Sequence, residues 1–245
     1  MSTAASLHKE LFAKVNAQLN LKVALSASHT GGTRGWTATT EWHDEVKGSK
    51  LTGLSSNVIA SAETGETYCQ LNGWLGPKYF LPHMLLQVGE NKAGKFCVKA
   101  DYVPRGPNAF GTDDQYLQTH YGQDVLAWYD NAVTVPGSVL LPPSKSFAAR
   151  LLRSPVHLAV GDLSFDDAAE IAGKHVTRWL AWVEDGRESE ARQRGALNGR
   201  DDKLRQFAFR AALFEAGEWF GSENAATVAG AMTGPVAEAY VGGGG

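Results

Sequence analysis

His83-Met84-Leu85-Leu86-Gln87-Val88 and, beyond a Gly89-Glu90-Asn91-Lys92-Ala93-Gly94 break, Lys95-Phe96-Cys97-Val98-Lys99-Ala100-Asp101-Tyr102 are the stretch on which the fold turns. Both runs have strand length and strand composition, and the Gly- and Asn-bearing break between them is too short for anything but a turn. Four similar runs lie upstream: Leu21 to Ala27, Gly35 to Trp42, Lys50 to Ser61 and Glu66 to Leu75, punctuated by Gly, Asn, Lys and Ser. None is separated from the next by a helix-length insert. Successive strands joined by tight turns pair antiparallel, so the segment 21–103 predicts an antiparallel meander.

Working outward, Leu7, Leu11, Val15 and Leu19 repeat at helical spacing and predict an amphipathic first helix covering one face of that meander. Downstream of Pro104-Arg105-Gly106-Pro107 the pattern turns helical. Asp113 or Asp114 can cap a helix carrying Tyr116, Leu117, Tyr121, Val125 and Trp128, and the Pro-rich stretch from Val135 to Pro143 reads as a loop. Ser164 and Asp167 have the spacing of a capping box before a second long helix with Ile171, Val176, Trp179, Leu180 and Val183. The polar segment from Gly186 to Gly199 reads as an exposed helix or loop. A last amphipathic run, Leu204 to Phe220, turns Phe207, Phe209, Leu213, Phe214 and Trp219 inward. Strands followed by helices, with one helix in front, argue for an α+β chain built as a three-layer α/β/α sandwich on a central antiparallel sheet, and against a doubly wound parallel fold.

At 245 residues with 43% hydrophobic and 20% charged residues, the chain is long enough for one large core. A net charge of -3 leaves no general basis for nucleic-acid binding. No run approaches the roughly 18 apolar residues a membrane helix needs. Cys69 and Cys97, widely separated, fit neither a disulfide framework nor a zinc or iron–sulfur site. Among His8, His29, His43, His83, His120, His157 and His175 no pair has metal-ligand spacing within an element. Gly31-Gly32-Thr33-Arg34-Gly35 lacks the dinucleotide and phosphate-loop spacings and reads as a turn, and no Gly-x-Ser-x-Gly elbow is present.

Five ordered blocks carry a resemblance: Pro82 with the strand after it; Ala100-Asp101; Asp113-Asp114-Gln115-Tyr116-Leu117 with His120-Tyr121; Arg150 with Arg153-Ser154-Pro155; and Asp202-Lys203-x-Arg205. Together they resemble the ferredoxin-dependent bilin reductase superfamily, and within it the red chlorophyll catabolite reductases. The likeness runs from His8-Lys9-Glu10-Leu11 through the helix with Trp219. It implies one domain over residues 1–241, with Gly242 to Gly245 a disordered tail. An open-chain tetrapyrrole would lie between the central sheet and a C-terminal helix, reduced by electrons that arrive singly from ferredoxin, with no cofactor bound.

Adding electrons to a conjugated tetrapyrrole makes a basic radical or anion that must be protonated in place. The resemblance assigns this to Asp202, since a carboxyl in an apolar pocket titrates closer to neutrality. The residues alone also allow Asp202, beside Asp201, as a helix N-cap. Two departures concern the acids. Gln87 stands where the family strand carries Glu or Asp, and Gln70 where biliverdin-reducing relatives carry a catalytic His. An amide donates hydrogen bonds but supplies no proton. Gln70 and Gln87 are therefore expected to orient the ligand, or else to be polar positions on a solvent-facing sheet surface. Arg150 and Lys203 are expected to pair with propionates, with simple surface solvation as the alternative. Trp74, Tyr79, Phe80 and Trp128 are candidates to wall the pigment. Asp101 is left out of the catalytic set, and His83 is read as packing or exposed.

Between residues 178 and 210 eight basic residues face six acidic ones in an otherwise acidic chain, which is compatible with a docking patch for acidic ferredoxin. The rival reading is a tetrapyrrole carrier that kept the fold and lost reduction, which the acid-to-amide changes would explain. A third is an α+β domain whose aromatics are core. The implied compartment is the chloroplast stroma for a eukaryotic chain and the cytoplasm otherwise; whether the protein is a homodimer is left open.

Overall fold

The computed structural model describes residues 3–32, 34–46, 50–105, 114–186, 188–189 and 191–234, leaving aside the side chains of 191–193. The glycine tail and Asp113 lie outside the described residues. Helix α1 (Ala4–Leu19) leads into β1 (Leu21–Gly31), β2 (Trp36–Glu45), β3 (Leu51–Ser61), β4 (Glu66–Leu75), β5 (His83–Glu90) and β6 (Phe96–Val103). Then follow α2 (Asp114–Tyr121), α3 (Gln123–Val133), β7 (Val139–Leu140), α4 (Phe147–Leu151), β8 (Leu158–Leu163), α5 (Phe165–Asp185), α6 (Ala191–Phe220) and α7 (Ser222–Thr233). The sheet order is β1-β2-β3-β4-β5-β6-β8-β7, and every neighbouring pair is antiparallel. The α+β sandwich expected from the strand meander is the fold observed.

The helices divide between the two faces by what each strand parity offers. Leu71, Leu75, Met84, Leu86, Val88, Val98, Ala100 and Tyr102 point to one face, where they pack with Leu7, Leu11, Val15 and Leu19 of α1, Val125 and Trp128 of α3, and Val176, Trp179 and Leu180 of α5. Two helices of this layer start on side-chain caps, of which the one at Ser164 was read from the sequence. Thr3 and Ser6 form a reciprocal box before α1, and the Ser164 hydroxyl accepts from the Asp167 backbone N–H before α5. Helix α5 lies close on the sheet because Gly73 leaves room: a Cβ there would stand 2.5 Å from the Trp179 ring.

The opposite face is covered by α4, α6 and α7, and its apolar packing is split. One cluster joins Trp36, Ala38 and Ile59 to Phe209, Ala216, Phe220 and Val228; the other joins Trp42, Trp74 and Val103 to Leu152, Leu204 and Ala208. Between them the strands present polar side chains, and the layers do not close.

Three parts of this layer differ from the sequence reading. Most of the segment from Gly186 to Gly199, read as an exposed helix or loop apart from the run at Leu204, is the first turns of α6, which continues unbroken through Leu204 and is anchored by the buried Leu197. The expected Pro-rich loop contains the short strand β7, which pairs with the unanticipated β8. Helix α7 was also not anticipated; its buried face is Ala225, Val228, Ala229 and Met232, too alanine-rich to stand out in the pattern.

Candidate functional site

A cleft opens between the centre of the sheet and α6, with the segment 142–157 forming its side wall. Its cavity volume is ≈ 200 Å³, and it opens to solvent at its mouth. Sites for drug-sized ligands span about 300–1,000 Å³, so an occupant of that size would sit partly enclosed and extend through the mouth.

Strand alternation builds the floor. In register, Asn57 of β3 stands opposite Gln70 of β4, Gln70 opposite Gln87 of β5, and Gln87 opposite Lys99 of β6. Two residues along, Asn72, Leu85 and Asp101 form a second row on the same face. Gln70 and Gln87 are 9% and 8% exposed, so they are not on a solvent face. The Gln70 amide is oriented from both sides, its oxygen accepting from Asn57 at 3.3 Å and its nitrogen donating to Glu215 of α6 at 3.4 Å. The Asn57 amide nitrogen also donates to the Met232 carbonyl at 3.0 Å, tying this row to α7. The Gln87 amide has no hydrogen-bond partner among the described residues and remains available to an occupant.

Two carboxyls border the space. Burial pushes the Glu215 carboxyl above the usual glutamate range, with the Lys99 charge and the Gln70 hydrogen bond pulling the other way. Asp101, 2% exposed, accepts from the Ser154 backbone N–H at 3.1 Å, from the Ser154 hydroxyl, and from His157 Nδ1 at 3.2 Å. The His157 ring lines the cleft, and its buried Nε2 has no partner among the described residues. Arg153, also lining the cleft, supplies a positive charge beside them.

Of the residues expected from sequence, Gln70 and Gln87 line the cleft together, and so does Trp74. Asp202 and Lys203 do not: both are exposed on α6. The reason is helical phase. Leu197, Asp201, Leu204, Ala208 and Ala212 recur every three or four residues on the face of α6 turned to the sheet, which puts residues 202 and 203 outside it. Asp202 is also no N-cap, since α6 begins at Ala191. Arg150 is exposed as well, its Nε donating to the Ser144 carbonyl at 2.6 Å, and the cleft takes Arg153 instead. Tyr79, Phe80 and Trp128 belong to the core on the other side of the sheet.

Asp201, buried beside the displaced candidate, anchors α6 to the end of the sheet. Its carboxylate pairs with the fully enclosed Arg105, Nε donating at 2.9 Å and Nη2 closing a second contact, and it meets His83 Nε2 at 3.0 Å. Arg105 further donates to the carbonyls of Tyr79 at 2.6 Å and Gly76 at 3.1 Å, while His83 Nδ1 accepts from the Leu75 N–H at 3.0 Å. Burial pushes the Asp201 carboxyl up, but His83 and Arg105 outweigh it and hold the group below its ordinary value. Burial, and then the charge of Arg105, push the His83 imidazole down to about 4 against the pull of Asp201. His83 is thus neither exposed nor simple packing.

Glu215 and His157 were not singled out by sequence reasoning, Arg153 was quoted only within the Arg153-Ser154-Pro155 block and given no role, and Asp101 was set aside. Signals existed for two of them: Asp101 shares strand parity with Lys99, and Glu215 continues the inward stripe of α6. Nothing local marked His157, which the fold brings to Asp101 across 56 residues of chain.

No family profile and no curated protein sequence matches the chain. Among solved structures it is similar to phytochromobilin synthase from tomato in complex with biliverdin, with a TM-score of 0.69 at 12% identity, over 93% of this chain and 81% of that one. The similarity is one of fold. Among the described residues no helix is long and apolar enough to cross a membrane.

Proposed function

We propose that the protein binds an open-chain tetrapyrrole in the cleft under α6 and reduces it with electrons supplied one at a time by ferredoxin, the pigment being red chlorophyll catabolite or a close bilin. The observation that carries the reading is the cleft itself: a partly enclosed space between the central sheet and α6, bordered by Glu215 and Asp101, on a fold shared with a protein solved with biliverdin. The resemblance of the five sequence blocks narrows the substrate towards a chlorophyll catabolite, and a plastid location follows for a eukaryotic chain.

In this reading the Gln87 amide meets the polar edge of the pigment, Lys99 and Arg153 offset carboxylate charge, and Trp74 and Leu85 contact its conjugated face. Saturating one double bond takes two electrons from two molecules of reduced ferredoxin and two protons. Glu215, whose burial favours the protonated acid, is placed to give one of them. The neutral Gln70 and Gln87 favour the carrier as second reading, because neither amide can supply a proton. An anaerobic assay with reduced ferredoxin separates the two. Bleaching of the bound pigment's long-wavelength absorption is expected, and Glu215→Gln should slow it at least about 100-fold while leaving binding intact. A stable bound spectrum in the unaltered protein would establish the carrier. Failure of a panel of open-chain tetrapyrroles to bind would end both.

A further inference from the structure

Resting on that reading of the cleft, we propose that His157 is a catalytic residue, its Nε2 exchanging a proton with the bound pigment, and that Asp101 is a positioning residue that fixes which ring nitrogen does so. Asp101 makes three contacts to hydrogen-bond donors, at Ser154 N, Ser154 Oγ and His157 Nδ1, and in each it accepts. A carboxylate so surrounded is occupied in holding its neighbours. Its contact with His157 engages Nδ1, so the neutral ring carries its proton on Nδ1 and turns a bare Nε2 away from Asp101. That Nε2 is buried and without a protein partner among the described residues, on a ring that lines the cleft. An unmet buried nitrogen is costly in a finished structure, and an occupant of the cleft is the partner that would satisfy it.

The arrangement also explains how one residue can serve repeatedly. A protonated His157 holds Nδ1–H on Asp101 and offers Nε2–H to the pigment. Reduced ferredoxin gives one electron to the conjugated system and is itself oxidised; the resulting radical anion takes the Nε2 proton, forming a new C–H or N–H bond, and the ring returns to its neutral Nδ1–H tautomer without turning over. A proton that comes ultimately from solvent then restores the charged ring. A second electron with a second proton, from Glu215 or from the recharged His157, completes saturation of one double bond. The charged and titratable groups facing His157 are Asp101 and Lys99 from β6, Arg153 from the segment after α4, and Glu215 from α6. With Ser154 holding Asp101 from two atoms, the carboxylate cannot swing out to substitute for the ring.

The test has two arms. In the ligand-free protein at alkaline pH, nitrogen NMR of the histidine rings should find the neutral His157 proton on Nδ1, and Asp101→Asn should redistribute it; a proton on Nε2 in the unaltered protein overturns the proposal. In the anaerobic biliverdin complex with reduced ferredoxin, His157→Gln should bind biliverdin with affinity within about threefold and reduce it at least about 100-fold more slowly. His157→Gly should recover rate on addition of imidazole, and Asp101→Asn should lower the rate and displace the pH profile. A His157→Gln protein that binds and reduces at full rate overturns the proposal while leaving the proposed function in place. Absence of biliverdin binding by the unaltered protein would overturn the proton-transfer role together with biliverdin reduction, and the tautomer arm would show whether the Asp101–His157 pairing itself had been misread.

Discussion

Replacing Asp201 by alanine removes the only carboxylate that meets Arg105 among the described residues. Arg105 is 0% exposed, and its remaining partners, the Tyr79 and Gly76 carbonyls, carry no charge. Removing one member of a buried ion pair costs about 3–5 kcal/mol, chiefly because the other charge stays buried and uncompensated. The upper half of that range applies here, since His83 Nε2 loses its acceptor in the same change. For a chain of this size each kcal/mol moves the melting temperature by about 2–4 °C, so Asp201→Ala should melt roughly 8–20 °C below the parent. Asp201→Asn, which keeps the shape and one acceptor, should fall between the two. The assay is thermal unfolding followed by circular dichroism at neutral pH, with refolding checked on cooling. A fall of less than about 3 °C in Asp201→Ala would refute the reasoning, because it would mean that Arg105 finds solvent or another acid when Asp201 is gone. The functional consequence follows from position. Asp201 pins the half of α6 that precedes the cleft, so biliverdin affinity should drop in the alanine variant even at temperatures where it remains folded.

Acid should act on the same cluster. Asp201 is held below its unfolded value, so its contribution is complete above about pH 3.9 and is lost as pH falls through the folded pKa. His83 is favoured in its neutral form, so its contribution is complete above 6.5 and is lost as pH falls towards about 4, roughly 3 kcal/mol in all. Denaturant titrations between neutrality and pH 4 should show stability falling throughout this window, and His83→Gln should flatten the upper part of the slope. Asp202→Asn, at an exposed position, should change stability by less than about 0.5 kcal/mol and leave pigment binding and bleaching at the parent level; a large loss of rate would restore the role first assigned to it. Ala211→Phe, placed where α6 roofs the cleft, should leave the fold intact, since the ring enters existing space, and should abolish biliverdin binding measured by absorbance.

The six strands of the meander were legible because each is a short β-rich run with turn residues on either side. For example, the run read as Glu66 to Leu75 is β4 residue for residue. Strand β8 was not, although Leu158, Val160 and Leu163 carry an apolar pattern. It pairs with β6, far upstream across the intervening helices, and with the two-residue β7, so no strand close to it in sequence marked it as part of the sheet. The error at Asp202 has a physical origin in α6. A helix that packs through Leu197, Leu204, Ala208, Ala212 and Ala216 shows little amphipathic contrast, so its start was placed at the first dense apolar run. With the helix begun at Leu204, Asp202 falls at a cap and either aspartate could face inward. With the helix extended to Ala191, Leu197 sets the phase and Asp201 follows one turn later. The acids of the cleft were hidden for a different reason: Glu215 looks like any glutamate on a helix until the sheet beneath it is known.

The alanines that blurred α6 in the sequence also create the space under it. Ala208, Ala211 and Ala212 face Ala159 across the cleft, with Ala149 at its side, so small side chains from three elements stand where leucine-sized ones would close the layers. Beneath them the sheet offers Gln70, Gln87, Lys99 and Asp101, groups that resist burial unless met by partners. A packed core would have made the opposite choice on both sides, with large apolar side chains above and below, as it does across the sheet where Trp179 closes on Gly73. Small residues over polar ones destabilise an empty fold twice, by lost packing and by incomplete hydrogen bonding, as at the buried His157 Nε2. Both deficits are removed by a flat, largely apolar molecule with a hydrogen-bonding edge. An open-chain tetrapyrrole has that shape and that edge, and the same physical argument excludes a purely hydrocarbon occupant, which would leave the amide and the imidazole unmet.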